Sequence, residues 1–294
     1  MEITEHHPFV SAEAKEKFLR MYDEKAKQWP VPSETRMVDT PYGQTFVRIS
    51  GPADAPPLVL LSGICGNALF WMRQIKAFSA GYRVYAVDKI DDYGRSIPVR
   101  DMESIDDYTG WLDEMLRALG LADVNLIGKS YGSWIAGQYA LCRPSRLRKV
   151  VMMAPAGTAV PVQESYIRRM ATEALSPREL CFWTYEDFAR QGEASRKEID
   201  TMVEEGILAG TSFNFRPSQA PTIMDDDELR SIKVPMLFMV GENEKLYSAH
   251  EAVARLKKVA PQIKIEVIPG AGHDLNLVQA ELVNRKVLEF LAPP

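Results

Sequence analysis

The chain has 294 residues, 46% of them hydrophobic, enough to bury a full core within one α/β domain. Its 40 acidic and 35 basic residues leave a formal charge of -5 with the signs interspersed, which argues against a nucleic-acid stripe, a polybasic membrane anchor and a polyanionic substrate. The longest apolar runs are of strand length, too short to span a bilayer.

In chain order, Met1-Glu2-Ile3-Thr4-Glu5 is acidic and lacks the charged-then-apolar layout of a secretory leader. Three cysteines, Cys65, Cys142 and Cys181, are an odd number without paired spacing, so reduced thiols and a cytoplasmic location are expected. Residues 11–29 read as an amphipathic helix with Phe18, Leu19, Tyr22 and Ala26 on one side, stopped by Pro30 and Pro32. Residues 36–39 and 44–50, separated by the turn Pro41-Tyr42-Gly43, read as an antiparallel hairpin. Buried strands are expected at 58–61, 83–87, 124–127, 149–154, 236–240 and 264–268, with helical segments between most of them. Such alternation predicts an α/β fold with a mostly parallel, doubly wound sheet covered on both faces. Its site should lie at the carboxyl ends of the strands.

The alternation breaks between 155 and 222, too long a stretch for an ordinary loop. Met170, Phe182, Trp183, Tyr185, Phe188, Met202, Phe213 and Phe215 recur there among charged residues. The segment reads as a helical cap over about 156–222 whose apolar inner face lines an acyl or alcohol pocket. Any single one of these side chains could instead only pack the cap onto the main domain. The run Asp225-Asp226-Asp227-Glu228 reads as a solvated helix start, and residues 249–259 as an amphipathic helix.

The most informative motif is Gly128-Lys129-Ser130-Tyr131-Gly132, which follows the apolar run Val124-Asn125-Leu126-Ile127 and places a serine between two glycines where a strand becomes a helix. This is the GxSxG nucleophile elbow, in which a tight, strained turn lifts the hydroxyl toward a substrate. A phosphate-binding loop is the rival reading of Gly128-Lys129-Ser130, but it requires a glycine where Asp123 stands. A serine nucleophile needs a base, and the histidines are His6, His7, His250 and His273. The first pair lies in an end segment and His250 opens a surface helix. His273 instead sits in Gly270-Ala271-Gly272-His273-Asp274 after a strand, where glycines let the backbone bring an imidazole to another residue. The base needs an anion behind it, and the strand ending at Val240 runs into Gly241-Glu242-Asn243-Glu244, with two carboxylates on offer. For the developing oxyanion, the amide of Tyr131 follows the nucleophile at a helix N-terminus, and a second donor should come from the loop Ser62-Gly63-Ile64-Cys65-Gly66-Asn67. Cys65 there could be a reactive thiol, but the expectation is a small buried filler. Every proposed element falls at a strand's carboxyl end.

The order serine, acid, histidine resembles that of the α/β-hydrolase family. The similarity runs nearly the full length and is strongest to its bacterial carboxylesterases. It is carried by Gly51-Pro52, Ala55-Pro56-Pro57-Leu58-Val59-Leu60-Leu61, Tyr85-Ala86-Val87-Asp88, Ser96-Ile97-Pro98, Asp227-Glu228-Leu229-Arg230-Ser231, Gly241-Glu242 with Glu244, and Ala271-Gly272-His273. The resemblance implies Glu244 as the acid, three residues beyond the strand's glycine, with Glu242 the competitor, and the amide of Ile64 as the second oxyanion donor. It further implies a cofactor-free esterase acting on small esters with aryl or alkyl acyl groups. Where the family usually has His-Gly, this chain has Ser62-Gly63, so the oxyanion loop is expected to survive with altered support. A lactonase, thioesterase, amidase or carbon-carbon hydrolase would use the same residues, and some members of this fold keep the triad yet act as small-molecule receptors.

Overall fold

The structure is a computed structural model that describes residues 8–171, 174–214 and 219–293. His6, His7 and Phe215, singled out above, lie outside the described residues. Among the described residues nine strands form one sheet: β1 (Ser33–Thr40), β2 (Gly43–Ser50), β3 (Pro57–Leu61), β4 (Arg83–Val87), β5 (Ile97–Pro98), β6 (Val124–Lys129), β7 (Leu147–Met153), β8 (Met236–Gly241) and β9 (Lys264–Ile268). Their order is β1-β2-β4-β3-β6-β7-β8-β9, with β5 on β2. β1 and β2 form the antiparallel edge, and from β4 to β9 every pairing is parallel.

The central strands read as unbroken apolar runs because both faces are buried, and side chains alternate between them with period two. Val59 and Leu61, Val150 and Met152, and Phe238 and Val240 enter one core. Leu58 and Leu60, Val151 and Met153, and Leu237 and Met239 enter the other. Helices cover each side. α1 (Ala12–Ala26) and α2 (Met72–Phe78) pack on the second core, α3 (Ile105–Ala118) and α4 (Tyr131–Cys142) on the first. Among the described residues five helices lie between β7 and β8: α5 (Glu164–Met170), α6 (Pro177–Thr184), α7 (Glu186–Ala189) and α8 (Glu193–Ser212), then α9 (Asp226–Ser231) just before β8. α10 (Ala249–Val259) joins β8 to β9, and the chain closes with α11 (Leu275–Val278) and α12 (Ala280–Leu291). Asp225 caps α9 with a reciprocal Glu228 contact, so the acidic run is a helix start. Among the described residues no helix is long and apolar enough to cross a membrane.

Three expectations need adjusting. The first helix stops at Ala26, because Trp29 turns inward and donates its indole N–H to Ser50 Oγ at 3.0 Å. Gly43 belongs to β2 and not to the turn: it pairs with Thr40, and at φ 125° a Cβ there would lie 2.2 Å from the Ile97 carbonyl oxygen. That close approach seats β5, a two-residue strand containing a proline, which has too little pattern to be read from sequence. Among the inserted aromatics, Phe188 is fully buried with Ile199 and Val203, and Phe213 packs on Phe9, Phe18 and Tyr93. Those two serve packing, whereas Met170, Tyr185 and Met202 face a cavity.

The loops after β8 and β9 meet with almost no clearance. A Cβ on Gly241 would lie 2.3 Å from the carbonyl oxygens of both Ala271 and Gly272. Backbone cannot step aside as a side-chain tip can, so Gly241→Ala should cost about 1–3 kcal/mol, seen as a fall in Tm of about 3–10 °C. An unchanged Tm in differential scanning calorimetry would show that the two loops are not in register contact.

Candidate active site

Ser130 stands between the last residue of β6 and the first of α4 with φ 52° and ψ -114°, outside the regions an L residue normally occupies. The turn is held there by backbone. Ser130 N–H donates to the Met153 carbonyl at 2.9 Å, and its own carbonyl accepts from Ser133, Trp134 and Ala156. The flanking glycines are required by contact: a Cβ on Gly128 would sit 2.2 Å from the Gly132 oxygen, and one on Gly132 would sit 2.4 Å from the Leu61 oxygen.

His273 arrives on the loop after β9 and Glu244 on the loop after β8. The two loops are tied by Glu242 N–H to the Ile268 carbonyl at 2.9 Å and Asn243 N–H to the Ala271 carbonyl at 2.8 Å. The imidazole Nε2 lies 3.0 Å from Ser130 Oγ, while Nδ1 lies 3.0 and 3.1 Å from the Glu244 oxygens. Glu244 Oε1 also accepts from the amides of Lys245 at 2.8 Å and Leu246 at 2.9 Å. Glu242 is elsewhere: exposed, it accepts the Gly270 amide at 3.0 Å, and so braces the histidine loop from outside.

Electrostatics fix the tautomer. Burial would raise the Glu244 carboxyl, but the imidazole, the Leu246 amide and Lys129 outweigh it and leave the group below its ordinary value. An ionised carboxylate only accepts, so Nδ1 carries the proton and Nε2 presents its lone pair to the serine hydroxyl. Burial, helped by the charge of Lys129, holds His273 below the ordinary histidine value despite Glu244. Burial also brings Lys129 down to about 8 and, with Asp187 nearby, pushes Asp274 up to about 6. Lys129 and Asp274 form part of the polar floor of the site.

The remaining candidates flank the serine. Tyr131 opens α4 directly behind it. The loop 62–67 lies against the elbow, for a Cβ on Gly63 would be 3.2 Å from Ser130 Cβ. Ile64 is 55% exposed on that loop. Ser62 is buried, with no partner for its hydroxyl among the described residues. Cys65 is exposed at the cavity, contrary to the buried filler expected, with its backbone at φ 61°. Partial desolvation of the sulfur and then Asp92 act to raise its thiol.

Ser130 and His273 open on a cavity of about 690 Å³. Its walls are largely apolar, with Phe70, Met170, Tyr185 and Met202 joined by Phe18 and Tyr22 of α1. The part played by α1 was missed from the sequence. Its amphipathic face was visible, but nothing in a single helix says whether that face meets a core or a cavity.

The chain matches the family described as the alpha/beta hydrolase fold over residues 56–184, and with its full-length relatives it belongs to the α/β-hydrolase family. It is 32% identical to carboxylesterase YbfK of Bacillus subtilis over 96% of each chain. It is also similar to the crystal structure of the naproxen esterase, carboxylesterase NP, from Bacillus subtilis, at 30% identity and a TM-score of 0.87 over 96% of this chain and 99% of that one.

The imidazole environment can be checked without any substrate. In a nitrogen-15 NMR titration, His273 should protonate below 6.5, the ordinary value. Glu244→Gln should lower that midpoint further, since the carboxylate is what favours the charged ring. A midpoint at or above 6.5, or a rise on removing Glu244, would contradict the assignment of forces.

Proposed function

We propose that the chain is a serine carboxylesterase, one α/β-hydrolase domain whose helices α5–α8 cap the site, working in the cytoplasm without metal or organic cofactor. Ser130 Oγ attacks the ester carbonyl carbon while its proton passes to His273 Nε2, and Glu244 holds Nδ1–H and stabilises the imidazolium. The carbonyl oxygen becomes an oxyanion received by the amides of Tyr131 and Ile64. When the tetrahedral intermediate collapses, His273 returns the proton to the departing alkoxide and an acyl-Ser130 ester remains. Water, deprotonated by the same imidazole, then releases the acid and restores the serine.

The observation that carries this reading is the hydrogen-bonded line from Glu244 through His273 to Ser130 Oγ, placed at the wall of an apolar cavity. The relatives named above are carboxylesterases, which favours an ester over the other bonds such a line can break. The lining of Phe70, Met170 and Tyr185 suits an alkyl or aryl acyl group.

Ser130→Ala should lower kcat/KM on 4-nitrophenyl butyrate by about 10³-fold or more with little change in Tm. A fluorophosphonate should label Ser130 and leave Ser62 and Ser133 untouched. Near-normal turnover by the variant, or labelling elsewhere, removes the nucleophile from this position. Single, stoichiometric hydrolysis with a ligand-induced Tm shift would favour a receptor instead.

The two acids separate cleanly. Glu244→Gln should lower kcat by about 10²- to 10⁴-fold, because an amide cannot stabilise the imidazolium and can favour the wrong tautomer. Glu242→Gln, at a side chain that accepts the Gly270 amide and makes no hydrogen bond to His273, should cost less than about tenfold. The reverse ranking in single-turnover assays would move the acid to Glu242.

A further inference from the structure

The loop carrying the Ile64 amide has little support of its own. Gly66 N–H donates to the Gly63 carbonyl at 3.2 Å, Ile64 is exposed, and the Ser62 hydroxyl has no partner among the described residues. Cys65 moreover occupies the left-handed region at φ 61°, a conformation that costs a non-glycine residue about 1–3 kcal/mol unless its surroundings impose it.

The surroundings that impose it come from the segment after β4. Asp92 Oδ2 accepts the Cys65 amide at 3.0 Å, and Oδ1 accepts the Tyr93 amide at 2.8 Å. Two residues along, Asn67 Nδ2 donates to the Tyr93 carbonyl at 2.9 Å, and Ala68 N–H donates to Asp88 Oδ1 at 2.7 Å. The oxyanion loop is therefore hung on residues 88–93. Asp92 is fixed in turn by Lys89, whose ammonium lies 3.4 Å from it and also pairs with Asp91. The same ammonium sits 5.3 Å over the ring of Tyr131. One buried cation thus reaches both flanks of the serine: through Asp92 the peptide that follows Ile64, and directly the residue that follows Ser130.

Stability alone does not account for such a cluster. Lys89 and Asp92 are buried, and removing ions from water offsets most or all of what their attraction returns, so apolar side chains of similar volume often serve a fold as well. A carboxylate is, however, well suited to gripping one backbone N–H in a defined direction, since a charge-assisted hydrogen bond is short and strong.

We propose that Asp92, held by Lys89, is a positioning residue for the oxyanion hole: by taking the Cys65 amide it fixes the peptide after Ile64 and keeps the Ile64 N–H directed at the oxygen of the tetrahedral intermediate. The inference rests on the esterase reading and on Ile64 as the second donor. It predicts a loss concentrated in the transition state, because Ile64, Cys65 and Tyr93 supply only part of the cavity wall and Phe18, Phe70, Met170, Tyr185 and Met202 come from other segments.

The test compares Asp92→Ala, Asp92→Asn and the wild type on 4-nitrophenyl butyrate. It adds the affinity of an alkyl trifluoromethyl ketone, which forms a tetrahedral adduct with a serine nucleophile, and that of the product butyrate, which does not. Asp92→Ala should lower kcat by about 30- to 300-fold, less than the about 10²- to 10³-fold that outright loss of an oxyanion donor costs, with KM within about threefold. Ketone affinity should fall by a similar factor while butyrate affinity holds. Asp92→Asn keeps an acceptor oxygen and should recover to within about tenfold of the wild type. Should the alanine variant not fold, Asp92→Ser, too short to reach the Cys65 amide, carries the same expectation. A kcat within threefold of the wild type, or equal losses for the ketone and butyrate, overturns the positioning role. Asparagine proving as damaging as alanine does so too. A wild type that ignores the ketone would instead remove the esterase reading itself.

Discussion

Beneath Ser130 three stretches of backbone, the ends of β3 and β6 and the start of α4, approach so closely that no side chain fits between them, and the rest of the site is arranged around that contact. Gly128 and Gly132 are where the close approach falls. Because the strand ends are locked by the parallel ladder β3-β6-β7, the serine cannot relax from its strained dihedrals without moving the centre of the sheet. The strain is therefore carried by the most rigid part of the molecule, which leaves the hydroxyl with one direction to point.

The second constraint is electrical. Glu244 is a carboxylate removed from water, tolerable because two amides and an imidazole N–H saturate one side of it and Lys129 offers a cation at a distance. The same lysine disfavours a protonated ring on His273. A site built this way keeps Glu244, His273 and Lys129 at the strand ends and faces them with a largely apolar wall, interrupted by the paired Lys25 and Glu205, so an ester would meet an apolar pocket beside a polar reaction centre.

Much of this was legible from sequence because buried parallel strands leave unbroken apolar runs, as at Val59-Leu60-Leu61 and Val150-Val151-Met152-Met153, and because the glycines around Ser130 mark a close backbone approach that few other arrangements need. Proximity across the fold was not legible. Glu242 and Glu244 are both carboxylates after the same strand, and only three-dimensional placement distinguishes the one facing His273 from the one bracing Gly270. Nor could local pattern tell Phe188, which fills a core, from Tyr185, which lines the cavity. The burial of Lys89 and Asp92 was not legible either, since a run of charges is usually solvated and nothing nearby signals that this one is buried.

The cavity wall joins α1 to α8, residues close to opposite thirds of the chain. Lys25 pairs with Glu205, and Phe213 packs between Phe9, Phe18 and Tyr93. During synthesis, α1 emerges nearly two hundred residues before the helix that covers its inner face. Closing a contact of such separation is slow, because the loop entropy must be surrendered before the contact rewards it. The strands that precede α8, β1 to β7, can pair in the meantime, with Tyr22 already docked on Phe46 and Asp88. The nascent chain thus carries an open, apolar half-pocket until α8 is made, and it is in that interval, more than in the finished molecule, that Phe18 and its neighbours are exposed to the wrong partners.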